Sequence, residues 1–76
     1  MSKFHKTLKN HFIVGEEYLI SLRGSGFFKA KYERLLQGHL IFNTGTSISG
    51  GMIRDNQVVI KSLTGETFTV NGWIKE

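Results

Sequence analysis

The apolar positions of this chain change period once, and the change divides it in two. Phe4, Leu8 and Phe12 recur every four residues while Lys3, Lys6 and Lys9 fall on the other side of a 3.6-residue wheel. That pattern predicts an amphipathic helix over residues 2–11, capped by Ser2. From Tyr18 the period is two. Tyr18, Ile20 and Leu22 alternate with Leu19, Ser21 and Arg23, as in a half-buried strand. Gly24-Ser25-Gly26 turns the chain into its longest extended segment, residues 27–36. There Phe28, Ala30 and Tyr32 share one face, and Lys29, Lys31 and Glu33 the other. The alternation blurs at Arg34-Leu35-Leu36, where either both faces become apolar or a bulge intervenes; a long, bent second strand is what a small barrel uses to close.

Gln37-Gly38 reads as the next turn and residues 39–44 as the third strand. Residues 45–51 are rich in Gly, Ser and Thr and are expected to form an exposed loop. Residues 57–63 and 66–70 read as the fourth and fifth strands, separated by Thr64-Gly65. Asn71-Gly72 favours a tight hairpin into a short last strand at 73–75. The sum is a mainly β fold: an N-terminal helix laid across the open end of a five- to six-stranded antiparallel small barrel. Without proline, linker, repeat or low-complexity segment, residues 1–76 read as one domain, with the helix at 2–11 and the barrel at 15–75.

Size and charge add an expectation about partners. A chain of 76 residues buries only about 60% of its unfolded surface, so extra burial from an oligomer or a partner is expected. The net charge of +4 is unevenly placed. Residues 1–14 hold Lys3, Lys6 and Lys9 and no acid, whereas residues 15–76 hold seven Lys or Arg against six Asp or Glu. That basic arm attracts an anionic partner such as RNA, or serves equally well as a solvated helix face. There is no cysteine, no apolar run of the ~20 residues that a membrane span needs, and no uninterrupted apolar stretch of the secretion-signal kind at the start. The expected location is the cytoplasm.

Catalytic and metal constellations are not suggested. His5 and His11 lie six apart, which does not stack them on one helix face, and His39 is distant, so no metal site is expected. Glu16 and Glu17 are adjacent and expected to point to opposite sides, and no other spacing pairs two carboxylates. The stretch 44–51 lacks the lysine and the following helix of a phosphate-binding loop. The chain therefore reads as a binding protein with no cofactor, and not as an enzyme. Aromatic and basic residues do interleave: Phe27, Phe28, Lys29, Lys31, Tyr32 and Arg34, with Phe42 further on. At core-facing spacing Phe28, Tyr32 and Phe42 read as barrel interior. Only an aromatic on the polar face would mark a platform for stacking bases.

Three stretches resemble the Sm-like family, which includes the Lsm proteins and Hfq. Gly15-Glu16-Glu17-Tyr18-Leu19-Ile20-Ser21-Leu22-Arg23-Gly24 resembles its opening strand and glycine turn. His39-Leu40-Ile41-Phe42-Asn43 is similar to its Asp-x-x-Met-Asn, and Ile53-Arg54-Asp55-Asn56-Gln57-Val58-Val59-Ile60 to its Ile-Arg-Gly and following strand. The resemblance implies a homo-oligomeric ring, closed by pairing of the fourth and fifth strands of neighbouring subunits, that binds single-stranded RNA on its inner rim. By the same resemblance Asn43 would hydrogen-bond a base and Arg54 would help to sandwich it, beside Phe42, His39, Ile41 and Asp55. Lys3, Lys6 and Lys9 would add a basic helix face. The departures are His39 in place of Asp, Ile41 where an aromatic or His commonly stacks, Asp55 and Ala30 where glycines stand, and a second strand about three residues long relative to the family pattern. They fit a divergent member from a phage or mobile element. The second reading is a protein-interaction or assembly barrel that binds no nucleic acid.

Overall fold

The computed structural model describes residues 8–75, the side chain of Lys9 excepted. A 3-10 turn, Leu8–His11, leads into β1 (Glu17–Leu22), β2 (Phe27–Leu36), β3 (His39–Phe42) and β4 (Ser47–Ser49). A short helix α1 (Gly50–Arg54), β5 (Val58–Ser62), β6 (Glu66–Thr69) and β7 (Gly72–Lys75) follow. The strands make one antiparallel sheet in the order β4-β3-β2-β1-β5-β6-β7.

The sheet is organised by the long strand. Residues 27–31 of β2 pair with β1, and residues 32–36 pair with β3. Between them the register passes from Tyr32↔Phe42 to Arg34↔Ile41, which leaves Glu33 as the extra residue of a bulge. Of the two readings the blurred alternation leaves open, the bulge is the one found, and it carries β3 and β4 over the other strands. Apolar residues from both halves therefore meet in one core: Ile20 of β1 and Ile60 of β5 are buried together with Leu40 of β3 and Ile48 of β4. Phe12 is the hub of its aromatic part. Its ring lies 4.8–5.7 Å from those of Tyr18, Tyr32, Phe68 and Trp73, in tilted and edge-on arrangements that suit ring quadrupoles.

Several expectations are corrected. Lys3, Lys6 and most of the anticipated helix lie outside the described residues, and residues 8–11 form a 3-10 turn rather than the end of an α-helix. Leu8 and Phe12 still reach the core. The His11 carbonyl is taken by the Trp73 indole N–H at 2.7 Å, and the next amide, of Ile13, donates to the Tyr18 hydroxyl at 2.9 Å. These bonds lead the chain away from a helical path and fasten it to β7 and β1. The expected loop at 45–51 instead contains β4 and the start of α1. Ile48 pairs with Leu40 and is fully buried, and the Ser49 hydroxyl caps α1 by accepting from the Met52 amide at 3.2 Å. A three-residue strand with one apolar position shows no alternation, so its Gly/Ser/Thr composition dominated the reading.

Residues 57–63 and 66–70 are not the sheet edges either. Their strands β5 and β6 pair with each other inside the chain, β5 also pairs with β1, and the edges are β4 and β7. In the last hairpin Thr69 is opposite Gly72, so the turn residues are Val70 and Asn71, one place earlier than Asn-Gly suggests. Gly72 has φ +100°, and a Cβ there would sit 3.7 Å from the His11 ring. No helix of the described residues is long and apolar enough to cross a membrane.

Two stability predictions follow from this packing. Phe12→Ala should cost about 3–5 kcal/mol in urea unfolding, whereas Ile13→Ala, at a side chain 64% exposed, should stay within about 0.5 kcal/mol. Burial pushes the Tyr18 and Tyr32 phenols above their ordinary value of 10.0; at Tyr18 the bond from the Ile13 amide pulls partly back and Glu16 adds a smaller upward push, and at Tyr32 the neighbouring Tyr18 adds to the rise. Below pH ~10 both states are protonated and the full stability is present; above it the unfolded chain ionises first, so the melting temperature should fall through the alkaline range. A melting temperature that is flat from about pH 9 to pH 11 would contradict this.

Candidate nucleic-acid interface

The residues singled out by the family resemblance lie on β3, just after it, and at the end of α1. Asn43, at the end of β3, clamps β2: its backbone N–H donates to the Lys31 carbonyl at 2.9 Å, and its Oδ1 accepts from the Lys31 N–H at 3.0 Å. Phe42 is only 1% exposed and packs edge-on against Tyr32, so it offers a ligand no surface. Ile41 is half-buried on the other face of β3, between Arg34 and Ser47. His39 is exposed, with Nδ1 3.1 Å from the Gln37 carbonyl oxygen. Arg54 and Asp55 pair with each other at 3.4 Å, both exposed. Arg54 also borders a groove of about 320 Å³ between β5 and β6, together with Val59 and Val70.

Register explains the separation. Asn43 is tied to Lys31, which is opposite Glu17 at the start of β1. The segment after Arg54 delivers the chain to Val58, opposite Leu22 at the end of β1. Asn43 and Arg54 are therefore attached to opposite ends of one strand. Of the basic helix face, Lys3, Lys6 and the Lys9 side chain lie outside the described residues.

A different surface gathers basic and aromatic side chains. Side chains directly opposite on neighbouring strands share a face. Lys31 is opposite Glu17; Lys29 and Lys61 flank Leu19; Phe27 and Val59 flank Ser21. The outward face of β2, β1 and β5 thus carries three lysines and one carboxylate around an apolar centre. Phe27 is 49% exposed there, and the Lys61 ammonium lies over its ring, 5.3 Å from the centroid. The flanking Phe27 and Val59 leave Ser21 only 4% exposed although it points outward.

The sequence contains the signal for this surface. Phe27 has the parity of Lys29 and Lys31, not that of Phe28, and so belongs to the polar face. The contribution of Lys61 and Val59 comes from β5 pairing with β1, which no local pattern specifies. Among the described residues no three His, Asp or Glu side chains are grouped to hold a metal. Comparison with protein-family models, curated proteins and solved structures yields no match to any of them.

The geometry assigns Asn43 a structural role. Asn43→Ala should cost about 0.5–1.5 kcal/mol, because it removes the side-chain acceptor of the Lys31 amide at the bend, while Arg54→Ala, which removes an exposed ion pair, should change stability by less than about 0.5 kcal/mol. Equal losses for the two variants in chemical unfolding would refute that assignment.

Proposed function

We propose that this protein binds single-stranded RNA on the outward face of β2, β1 and β5, and that it does so as a homo-oligomeric ring of Sm-like small barrels in the cytoplasm. The observation that carries the reading is Phe27, an aromatic ring standing half-exposed on a lysine-bearing face with a cation already held over it. A base can stack on the open part of the ring, while Lys29, Lys31 and Lys61 neutralise the phosphates on either side. Such contacts discriminate weakly among bases, since every base has a π-face, and favour an unpaired strand whose bases can splay out.

The ring part of the proposal is supported by the strand order β4-β3-β2-β1-β5, the bulge in β2 and the short helix between β4 and β5, all of which suit a small closed barrel. Its interfaces would be the β4 and β7 edges, whose unpaired backbone groups a neighbour can cover. Repeating the lysine face around a ring would add weak single-site contacts through multivalency.

Fluorescence anisotropy with labelled U-rich and A-rich single strands tests the face. Affinity should fall steeply as salt rises. Phe27→Ala should weaken binding by about 1–3 kcal/mol, roughly 5- to 150-fold, and Lys29→Glu with Lys61→Glu should flatten the salt dependence. Binding that ignores salt, or that Phe27→Ala leaves intact, removes the proposed face. Native mass spectrometry tests the ring separately, and a monomer at micromolar concentration would discard it.

A further inference from the structure

A second groove, of about 390 Å³, opens between the segment before β1 and the turn joining β5 to β6. Ile13, Leu63 and Trp73 contribute apolar wall, and Glu16, Glu17 and Glu66 contribute carboxylates. The chain has ten Lys and Arg against six Asp and Glu, yet three of those six acids line this one groove, and among the described residues no lysine or arginine does. None of the three makes an ion pair with a described residue; Glu66 accepts a bond from the Thr64 hydroxyl at 3.2 Å. Sequence spacing alone would send Glu16 and Glu17 to opposite sides. The Glu16 amide, however, closes a turn onto the Ile13 carbonyl at 3.0 Å, so Glu16 precedes the strand and both residues border the groove.

We propose that this groove docks an extended lysine- or arginine-bearing segment of a partner protein. A lysine or arginine side chain has an apolar stem and a cationic tip, and the groove offers apolar wall and carboxylates in the same arrangement. A nucleic-acid strand or an acidic peptide would meet three like charges there. The floor is fixed before any partner arrives. The Trp73 indole is bonded to the His11 carbonyl at 2.7 Å, the Tyr18 hydroxyl accepts from the Ile13 amide at 2.9 Å, and the Tyr18 and Trp73 rings stack at 5.6 Å. Such preorganisation lowers the ordering cost of binding. Of the lysine-bearing face, only Glu17 also borders this groove, so an RNA strand and a basic segment have largely separate seats.

Trp73 is the only tryptophan of the chain, and its emission reports on the groove. Titration with hexalysine and hexaarginine peptides should give a saturable emission change that weakens with salt, and hexaglutamate should give none. The triple variant Glu16→Gln, Glu17→Gln, Glu66→Gln should bind the basic peptides at least about tenfold more weakly with an unchanged melting temperature. Phe27→Ala should bind them as the parent does, which separates this proposal from the RNA face. Should the triple variant fail to fold, Glu16→Gln with Glu17→Gln, both exposed, gives the same reading. Absence of a saturable change, parental affinity in the folded Gln variant, or spermidine binding as tightly as hexalysine would each overturn the docking of a basic segment.

Discussion

The fold depends on how one strand keeps its backbone bonded while it changes neighbours. At the bend of β2 the partners on the two sides hand over within two residues. The Tyr32 N–H and carbonyl are bonded to Glu16 and Gly15, and the Lys31 N–H and carbonyl are bonded to the Asn43 side chain and amide. Backbone groups that leave one ladder before joining another would otherwise stand unpaired at the edge of the core, at a cost of a hydrogen bond each. Asn43 supplies the donor through its backbone N–H and the acceptor through its side-chain Oδ1. With the bend secured, β3 and β4 can lie over β1 and β5, and Ile48 can meet Ile20 and Ile60 in a single core.

The same bend sorts the outer surface. Because β1 sits in the middle of the sheet, its outward residues have neighbours on both sides, and Leu19 and Ser21 become the centre of a lysine-rimmed face. The start of β1 borders a groove of opposite sign. A domain of 76 residues thus presents a cationic and an anionic surface at either margin of one strand. The cationic face uses the side of the strand that alternation leaves to solvent, and the anionic groove has the core ring of Tyr18 in its floor.

How far the sequence could be read followed the length of each element. Alternation located β1, β2, β5 and β6 to within a residue or two, and the loss of phase at Arg34 to Leu36 left the bulge as one of two readings. It failed where an element was too short to show a period, as at Ile48 in β4 and in the five-residue α1. Register across strands is set by tertiary pairing, so the meeting of Phe27 with Lys61 and the gathering of Glu16, Glu17 and Glu66 were invisible to a linear reading. The family resemblance pointed to Asn43 and Arg54 as ligand contacts. In this fold the Asn43 Oδ1 is bonded to the backbone of β2, and Arg54 lines a groove beside β5 and β6; the matched motifs fix residue types and not the strand ends at which they fall.

The bond between the Trp73 indole and the His11 carbonyl spans 62 positions of sequence, and Phe12 packs on the same indole. During synthesis, the site that Phe12 and the His11 carbonyl occupy is thus incomplete until Trp73 has left the ribosome. Until then Phe12 lacks the indole wall of its site, and that apolar surface is open to a chaperone. The packing of this segment is in that sense timed by the arrival of one tryptophan.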